Sequence, residues 1–214
     1  MPPDPKQTPT RCPDCWQPSL SCFCAKIRPL STRVRFLILQ HPQEAKKPLS
    51  TARLASRSLP AAVHRVGLSW RSFANALGAP VDPKTWAVLY LGGRNDSKQA
   101  LAGFPYRVLN RRGDPVSAPK IDGVIVLDGS WKQSKTLWWR NPWLLKLNRL
   151  LLNPDQPSLY RAVRRQPRKE CLATIEAIAL CLTLLDNSSQ TPDELRRLFR
   201  QHLVREDQPQ SVAG

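Results

Sequence analysis

The run "DGVIVLDGSWKQ", residues 122 to 133, decides the fold. Val124, Ile125, Val126 and Leu127 follow one another without the polar alternation of a half-solvated strand, and three of the four are β-branched. Such a run reads as a strand buried on both faces of a parallel sheet. Asp128 and Gly129 end it, and the polar, basic residues after Ser130 open a helix. In an open parallel sheet, ligands bind in the crevice beyond the carboxyl ends of the strands, so Asp128 falls at the rim of that crevice. A blander role is also open to this stretch: Asp128 or Ser130 caps the following helix and Trp131 packs on it.

Working outward, "RVRFLILQ" (33–40), "TWAVLYLGG" (85–93) and "NRLLLNP" (148–154) are further strands. Helices alternate with them. "LSTARLASRSL" (49–59) has Ser50 or Thr51 as its cap, and the helix beginning in "KQSKTLWWRNPWLLKL" stops at Pro142. Leu172, Ile175, Ile178, Ala179, Leu182 and Leu185 share one face at three- and four-residue spacings. "TPDELRRLFRQHL" carries a capping box from Thr191 to Glu194 with Pro192 at its first helical position. This alternation predicts an α/β protein, a mostly parallel sheet flanked by helices.

The 214 residues suffice for one core and a small appendage. Residues 1–10 and 205–214 lack the apolar side chains that offset ordering entropy and are expected to be disordered, leaving a cysteine-rich segment at 11–30 and one domain at 31–204. Lys and Arg number 33 against 16 Asp and Glu, a net charge of +17, with basic residues recurring along the whole chain. That distribution points to a nucleic acid rather than a membrane surface, which a single amphipathic basic helix would serve. The amino-terminal "MPPDPKQTPT" has no apolar signal core, and the apolar "CLATIEAIALCLTLL" (171–185) is short and interrupted by Glu176. The expectation is a soluble, cytoplasmic protein with no obligate protein partner.

"RCPDCWQPSLSCFCAKIRPL" (11–30) places Cys12, Cys15, Cys22 and Cys24 as CxxC and then, six residues on, CxC. Four thiolates so close in sequence suit one tetrahedral structural zinc with no open coordination position. Disulfides fit a small secreted domain, and a redox CxxC would follow a strand inside a βαβ unit. Cys171 and Cys181 lie in the apolar helix and read as small core residues.

"LDGSW" resembles the DxTW/DxSW signature of DTW-domain proteins. The cysteine knuckle, "ILQHPQEAKKPLSTARL" (38–54) and "YRAVRRQPRKECLATIEAIALCL" (160–182) occur in the order that family shows, covering residues 11–185. Three positions depart from its pattern: Ser130 in place of Thr, Ser50 in place of Asn, and Ala173 in place of Ser. The resemblance implies a fold related to the knotted SPOUT methyltransferases. It also implies a tRNA-uridine aminocarboxypropyltransferase, which moves the 3-amino-3-carboxypropyl group of S-adenosylmethionine to ring nitrogen 3 of a uridine and releases methylthioadenosine.

Uridine's imide nitrogen is a poor nucleophile while protonated, so Asp128 is the candidate base, or an electrostatic partner of the sulfonium. Leu127, Ser130, Trp131, Leu152, Asn153, Thr174 and Glu176 are the expected cofactor-binding positions by resemblance. Trp131 is alternatively a stacking partner for a flipped uracil or a core residue beside Trp138, Trp139 and Trp143; Glu176 is alternatively a polar-face helix residue. Arg161, Arg164, Arg165, Arg168 and Lys169 form a run without an acid, suited to phosphate contact. His41, Pro42 and Glu44 are expected to shape the substrate side. Two other functions suit the same residues: a SPOUT-like RNA methyltransferase, and a non-catalytic zinc-containing RNA-binding protein.

Overall fold

Why the apolar runs sit as they do is visible in the way their side chains divide. In β1 (Arg35–Gln40), Phe36 and Ile38 face one core while Leu37 and Leu39 face a second. In β5 (Gly123–Asp128), Val124 and Val126 join the first core and Ile125 the second. A period of two with both faces buried produces a continuous apolar run. The computed structural model describes residues 11–15, 17, 19, 22, 24–47, 50–90, 101, 103–159, 172–186 and 190–207.

With β2 (Val63–Val66), β3 (Trp86–Leu89), β4 (Tyr106–Leu109) and β6 (Asn148–Leu152), the sheet has six strands in the order β2-β1-β5-β3-β6-β4. All neighbours are parallel except β4, which pairs antiparallel with β6 at the edge. The short β2 and β4 escape sequence reading because His64, Arg65 and Arg107 break their apolar pattern. Residues 91–93 of the expected third strand lie outside the described residues.

One face of the sheet is covered by α2 (Thr51–Ser58), α5 (Thr174–Leu185) and α6 (Gln190–Asp207), which bury Leu54, Ile175, Ile178, Leu182, Leu195 and Phe199. The other face holds α3 (Phe73–Leu77) and a 3₁₀ turn, Pro142–Lys146, which pack Phe73, Leu77 and Leu144 around Trp86. The Phe73 ring lies 5.2 Å edge-on from Trp86 and 5.5 Å, stacked, from Trp143. Gly123 is required here: a Cβ at that position would stand 2.4 Å from the Trp86 indole.

Helix α4 (Trp131–Arg140) stops before Pro142, as its sequence dictates, with Asn141 fully buried at its end. Asn141 donates to the Leu68 and Leu137 carbonyls and accepts from the Trp70 amide. Helix α6 begins at Gln190, so Thr191 is helical rather than the cap expected of it, and it runs to Asp207, three residues into the expected tail. Residues 1–10 and 208–214 lie outside the described residues. Among the described residues no helix is long and apolar enough to cross a membrane.

Candidate active site

Strands β1 and β5 are adjacent and parallel, with Gln40 in register with Asp128 at their carboxyl ends. The chain leaves β1 toward β2 on one side and leaves β5 toward β6 on the other. Oppositely directed connections open a crevice between the two strand ends, the usual ligand site of a doubly wound sheet. Asp128 therefore stands at the switch point and Gln40 beside it.

Their side chains form one network. The Gln40 amide donates one N–H to Asp128 Oδ2 (2.8 Å) and the other to Ser50 Oγ (2.8 Å). With both protons spent, its Oε1 accepts from His64 Nε2 at 3.0 Å, which fixes His64 as the Nε2–H tautomer. Burial, reinforced by the Arg53 charge, pulls His64 down to about 4, so the ring is neutral at physiological pH. Gln40 is fully buried and all three of its amide hydrogen-bonding interactions are internal. Thr174, the first residue of α5, donates its hydroxyl to Asp128 Oδ1 from the helical face of the sheet.

The cap of α4 is Ser130. Its Oγ accepts from the Gln133 amide (3.4 Å) while the Gln133 side chain accepts from the Ser130 amide (2.6 Å), a complete capping box. Asp128 is thereby left to reach across to β1 and α5. Gly129 permits this close turn, because a Cβ there would meet the Gln133 Cβ at 2.8 Å.

Of the other expected site residues, Leu127 packs against the second core and Leu152 against the first, both half-buried. Asn153 extends β6 by donating its amide to the Pro105 carbonyl and its side chain to the Phe104 carbonyl. Glu176 accepts from the amides of Leu159 (2.8 Å) and Ala173 (2.9 Å) and from the Ser158 hydroxyl. It binds the segment after β6 to the start of α5 and takes the Ala173 N–H as the third helical residue does in a capping box, while Ala173 has no side-chain oxygen to return the bond. Trp131 is 37% exposed, outside the aromatic core that takes in Trp138 and Trp143. His41 caps the short α1 (Pro42–Ala45) through Nδ1, and its backbone amide donates to the Asp128 carbonyl; the buried Glu44 pairs with Lys47 at 2.5 Å. Arg161, Arg164, Arg165, Arg168 and Lys169, like Cys171, lie outside the described residues.

Gln40 and His64 complete the site and are not legible as site residues, and Ser50, which the sequence marks as a departure from the family pattern, joins them. Gln40 did carry the same signal as Asp128, a polar side chain closing a buried strand. Ser50, expected as a helix cap, makes no capping hydrogen bond and turns its hydroxyl to Gln40 instead.

At the amino terminus the four sulfurs of Cys12, Cys15, Cys22 and Cys24 lie within 4.8 Å of one another. Cys12 and Cys24 are 3.9 Å apart and Cys15 and Cys22 3.8 Å, against about 3.8 Å for the edge of a tetrahedron of Zn–S bonds. The donor set and its spacing fit one metal ion. A backbone hydrogen bond from Cys15 draws the Cys12 thiol down to about 7, while burial pushes Cys15 and Cys24 up. The knuckle docks on α2 through Asp14–Arg57 (3.2 Å) and the Leu30 amide on the Ser58 carbonyl. Cys181 is a fully buried core residue, its thiol pushed up to about 12 by burial.

Fold and site together define an α/β protein with a carboxylate at a topological switch point and a four-cysteine knuckle whose sulfurs are spaced for one metal ion. The chain belongs to the DTW-domain family, whose family model matches residues 9–205. It is similar to tRNA-uridine aminocarboxypropyltransferase 2 of Drosophila melanogaster, 28% identical over 210 residues that cover 94% of this chain and 74% of that protein. It is likewise similar to the Macaca fascicularis protein of the same name, 26% identical over 201 residues, 92% of this chain and 63% of the relative. A third relative, tRNA-uridine aminocarboxypropyltransferase A of Arabidopsis thaliana, is 26% identical over 198 residues, 82% of this chain and 72% of that protein. The chain thus spans somewhat under two thirds of the macaque relative's length. No solved structure matches it.

Proposed function

We propose that this protein transfers the 3-amino-3-carboxypropyl group of S-adenosylmethionine to N3 of a uridine in cytoplasmic tRNA. The observation that carries the reading is the Asp128 carboxylate, held by Gln40 and Thr174 at the crevice between β1 and β5, in a chain whose relatives are named tRNA-uridine aminocarboxypropyltransferases. S-adenosylmethionine supplies the 3-amino-3-carboxypropyl arm on a sulfonium and leaves as methylthioadenosine.

Asp128 takes the imide proton from uridine N3, turning a weak nucleophile into a competent one. Gln40 and Thr174 hold the carboxylate in place so that its orientation is set before substrate arrives, which is an entropic contribution to rate. The donor would be held by Leu127, Ser130, Leu152, Asn153 and Thr174 along the carboxyl edge, with the part-exposed Trp131 taking the alternative role of stacking on the nucleic acid. Glu176 acts through the backbone it ties together rather than by direct contact. Arg161, Arg164, Arg165, Arg168 and Lys169 supply phosphate contacts, in keeping with the +17 charge. Cys12, Cys15, Cys22 and Cys24 hold a structural zinc. A SPOUT-type knot at the carboxyl edge belongs to the same reading, on family likeness.

The test is incubation of the protein with bulk tRNA and S-adenosylmethionine, followed by mass spectrometry of nucleosides and small molecules. The expected products are an aminocarboxypropyl-uridine and methylthioadenosine. Asp128→Asn is expected to lose transfer by about 100-fold or more while binding tRNA as before. S-adenosylhomocysteine as product would replace the reading by a methyltransferase, and unmodified tRNA under demonstrated binding by a non-catalytic RNA-binding protein.

A further inference from the structure

Helix α4, "WKQSKTLWWR", turns Leu137 fully inward and packs Trp138 partly on the second core. Its outer face is different. Trp139 is 68% exposed and Trp131 37% exposed, and with the exposed Lys135 between them they occupy positions i, i+4 and i+8 of one strip. Lys135 Nζ lies 5.9 Å from the centre of the Trp131 ring, at the outer limit of a cation–π contact. Lys132 and Arg140, also exposed, flank the strip, and the helix contains no Asp or Glu. The strip starts three residues beyond Asp128, at the rim of the candidate site.

We propose that this face of α4 is a stacking platform for a single-stranded segment of the RNA substrate, running away from the carboxylate. It rests on the proposed reading for the class of substrate and adds where the strand lies. Exposed indoles alternating with cations are what a sequence-tolerant single-strand site requires, since every base has a π-face and every nucleotide a phosphate. Eight residues of helix span about 12 Å, the length of three to four stacked nucleotides at about 3.4 Å each. Trp131 takes a base next to the reacting uridine, Trp139 one further along, and Lys132, Lys135 and Arg140 take the phosphates between. A bilayer fits this face less well, because the apolar side of α4 is turned into the core and only two indoles remain outside among three cations.

The experiment measures fluorescence anisotropy of a labelled twelve-nucleotide oligouridylate with the full-length protein, without S-adenosylmethionine, alongside a fully paired RNA duplex of equal length and vesicles of phosphatidylcholine and phosphatidylserine. Trp139→Ala is expected to weaken oligouridylate binding by about 5- to 100-fold, with an unchanged melting temperature because the ring lies outside the core. Trp139→Phe retains most of the affinity. Replacing both Lys132 and Lys135 by Gln lowers the slope of log affinity against log salt by about 1.4. Oligouridylate affinity within twofold of wild type in Trp139→Ala overturns the proposal, as does equal affinity for single strand and duplex. Vesicle binding that Trp139→Ala abolishes while RNA binding stands unchanged overturns it in favour of a membrane face. Since binding is read without the donor, a failure of transfer chemistry leaves this result intact, and transfer that persists beside Trp139-independent binding sinks this inference alone.

Discussion

Replacing Gln40 by Glu changes almost no volume but converts the amide that donates to Asp128 into a second carboxyl group. The replaced nitrogen stands 2.8 Å from Asp128 Oδ2, which puts the two charge centres about 4 Å apart if both groups ionise. At an effective dielectric constant of about 20 that repulsion is about 4 kcal/mol. Protonating one carboxyl of ordinary pKa at pH 7 costs nearly the same, about 3.7 kcal/mol, so the variant is destabilised by about 3 to 4 kcal/mol at neutral pH. The neutral form of the new group is favoured in the folded state, so folding binds a proton that the unfolded chain releases as pH rises. The stability deficit therefore grows with pH from about 4 toward 7 and nearly closes in acid. For a chain of this size, about 2 to 4 °C per kcal/mol gives a melting temperature lower by about 6 to 16 °C at pH 7. Thermal melts of wild type and Gln40→Glu across pH 4.5 to 8 read this directly, with Gln40→Met as a control that removes the amide without adding a charge. A deficit that does not change with pH would mean that Gln40 and Asp128 do not face each other, and would refute the network.

Three further outcomes follow from the geometry. Gly123→Ala drives a methyl group to 2.4 Å from the fully buried Trp86 indole and is expected to cost about 1 to 3 kcal/mol in urea unfolding. His64 is held down to about 4 in the fold against an ordinary 6.5, so the unfolded chain binds the more protons between those values. Stability accordingly falls as pH drops from about 6.5 to 4, and His64→Gln is expected to flatten that part of the pH–stability curve. Chelation at neutral pH is expected to release one zinc per chain and to lower the melting temperature, while Cys12→Ser and Cys24→Ser bind the metal weakly or not at all; a metal-free protein with an unchanged melt would argue against the knuckle's structural role.

What could be read from the chain directly was whatever depends on near neighbours. The apolar runs at 35–40, 86–89, 123–128 and 148–152 declared a parallel sheet because two buried faces leave no polar alternation, and the CxxC and CxC pairs declared a four-sulfur cluster because all four cysteines lie within one short segment. The short strands at 63–66 and 106–109 were illegible because their place at the sheet edges, rather than their composition, makes them strands. The choice between Asp128 and Ser130 was also open, since either polar side chain caps a helix equally well in isolation. Tertiary structure decided it: only when the crossovers bring Gln40 from 88 residues away and Thr174 from 46 does Asp128 gain partners that draw it from the helix start, leaving the cap to Ser130. Local pattern determined the layers of this protein, and the connections between strands determined its site, because a carboxylate becomes a functional group by the company it keeps across the sheet edge.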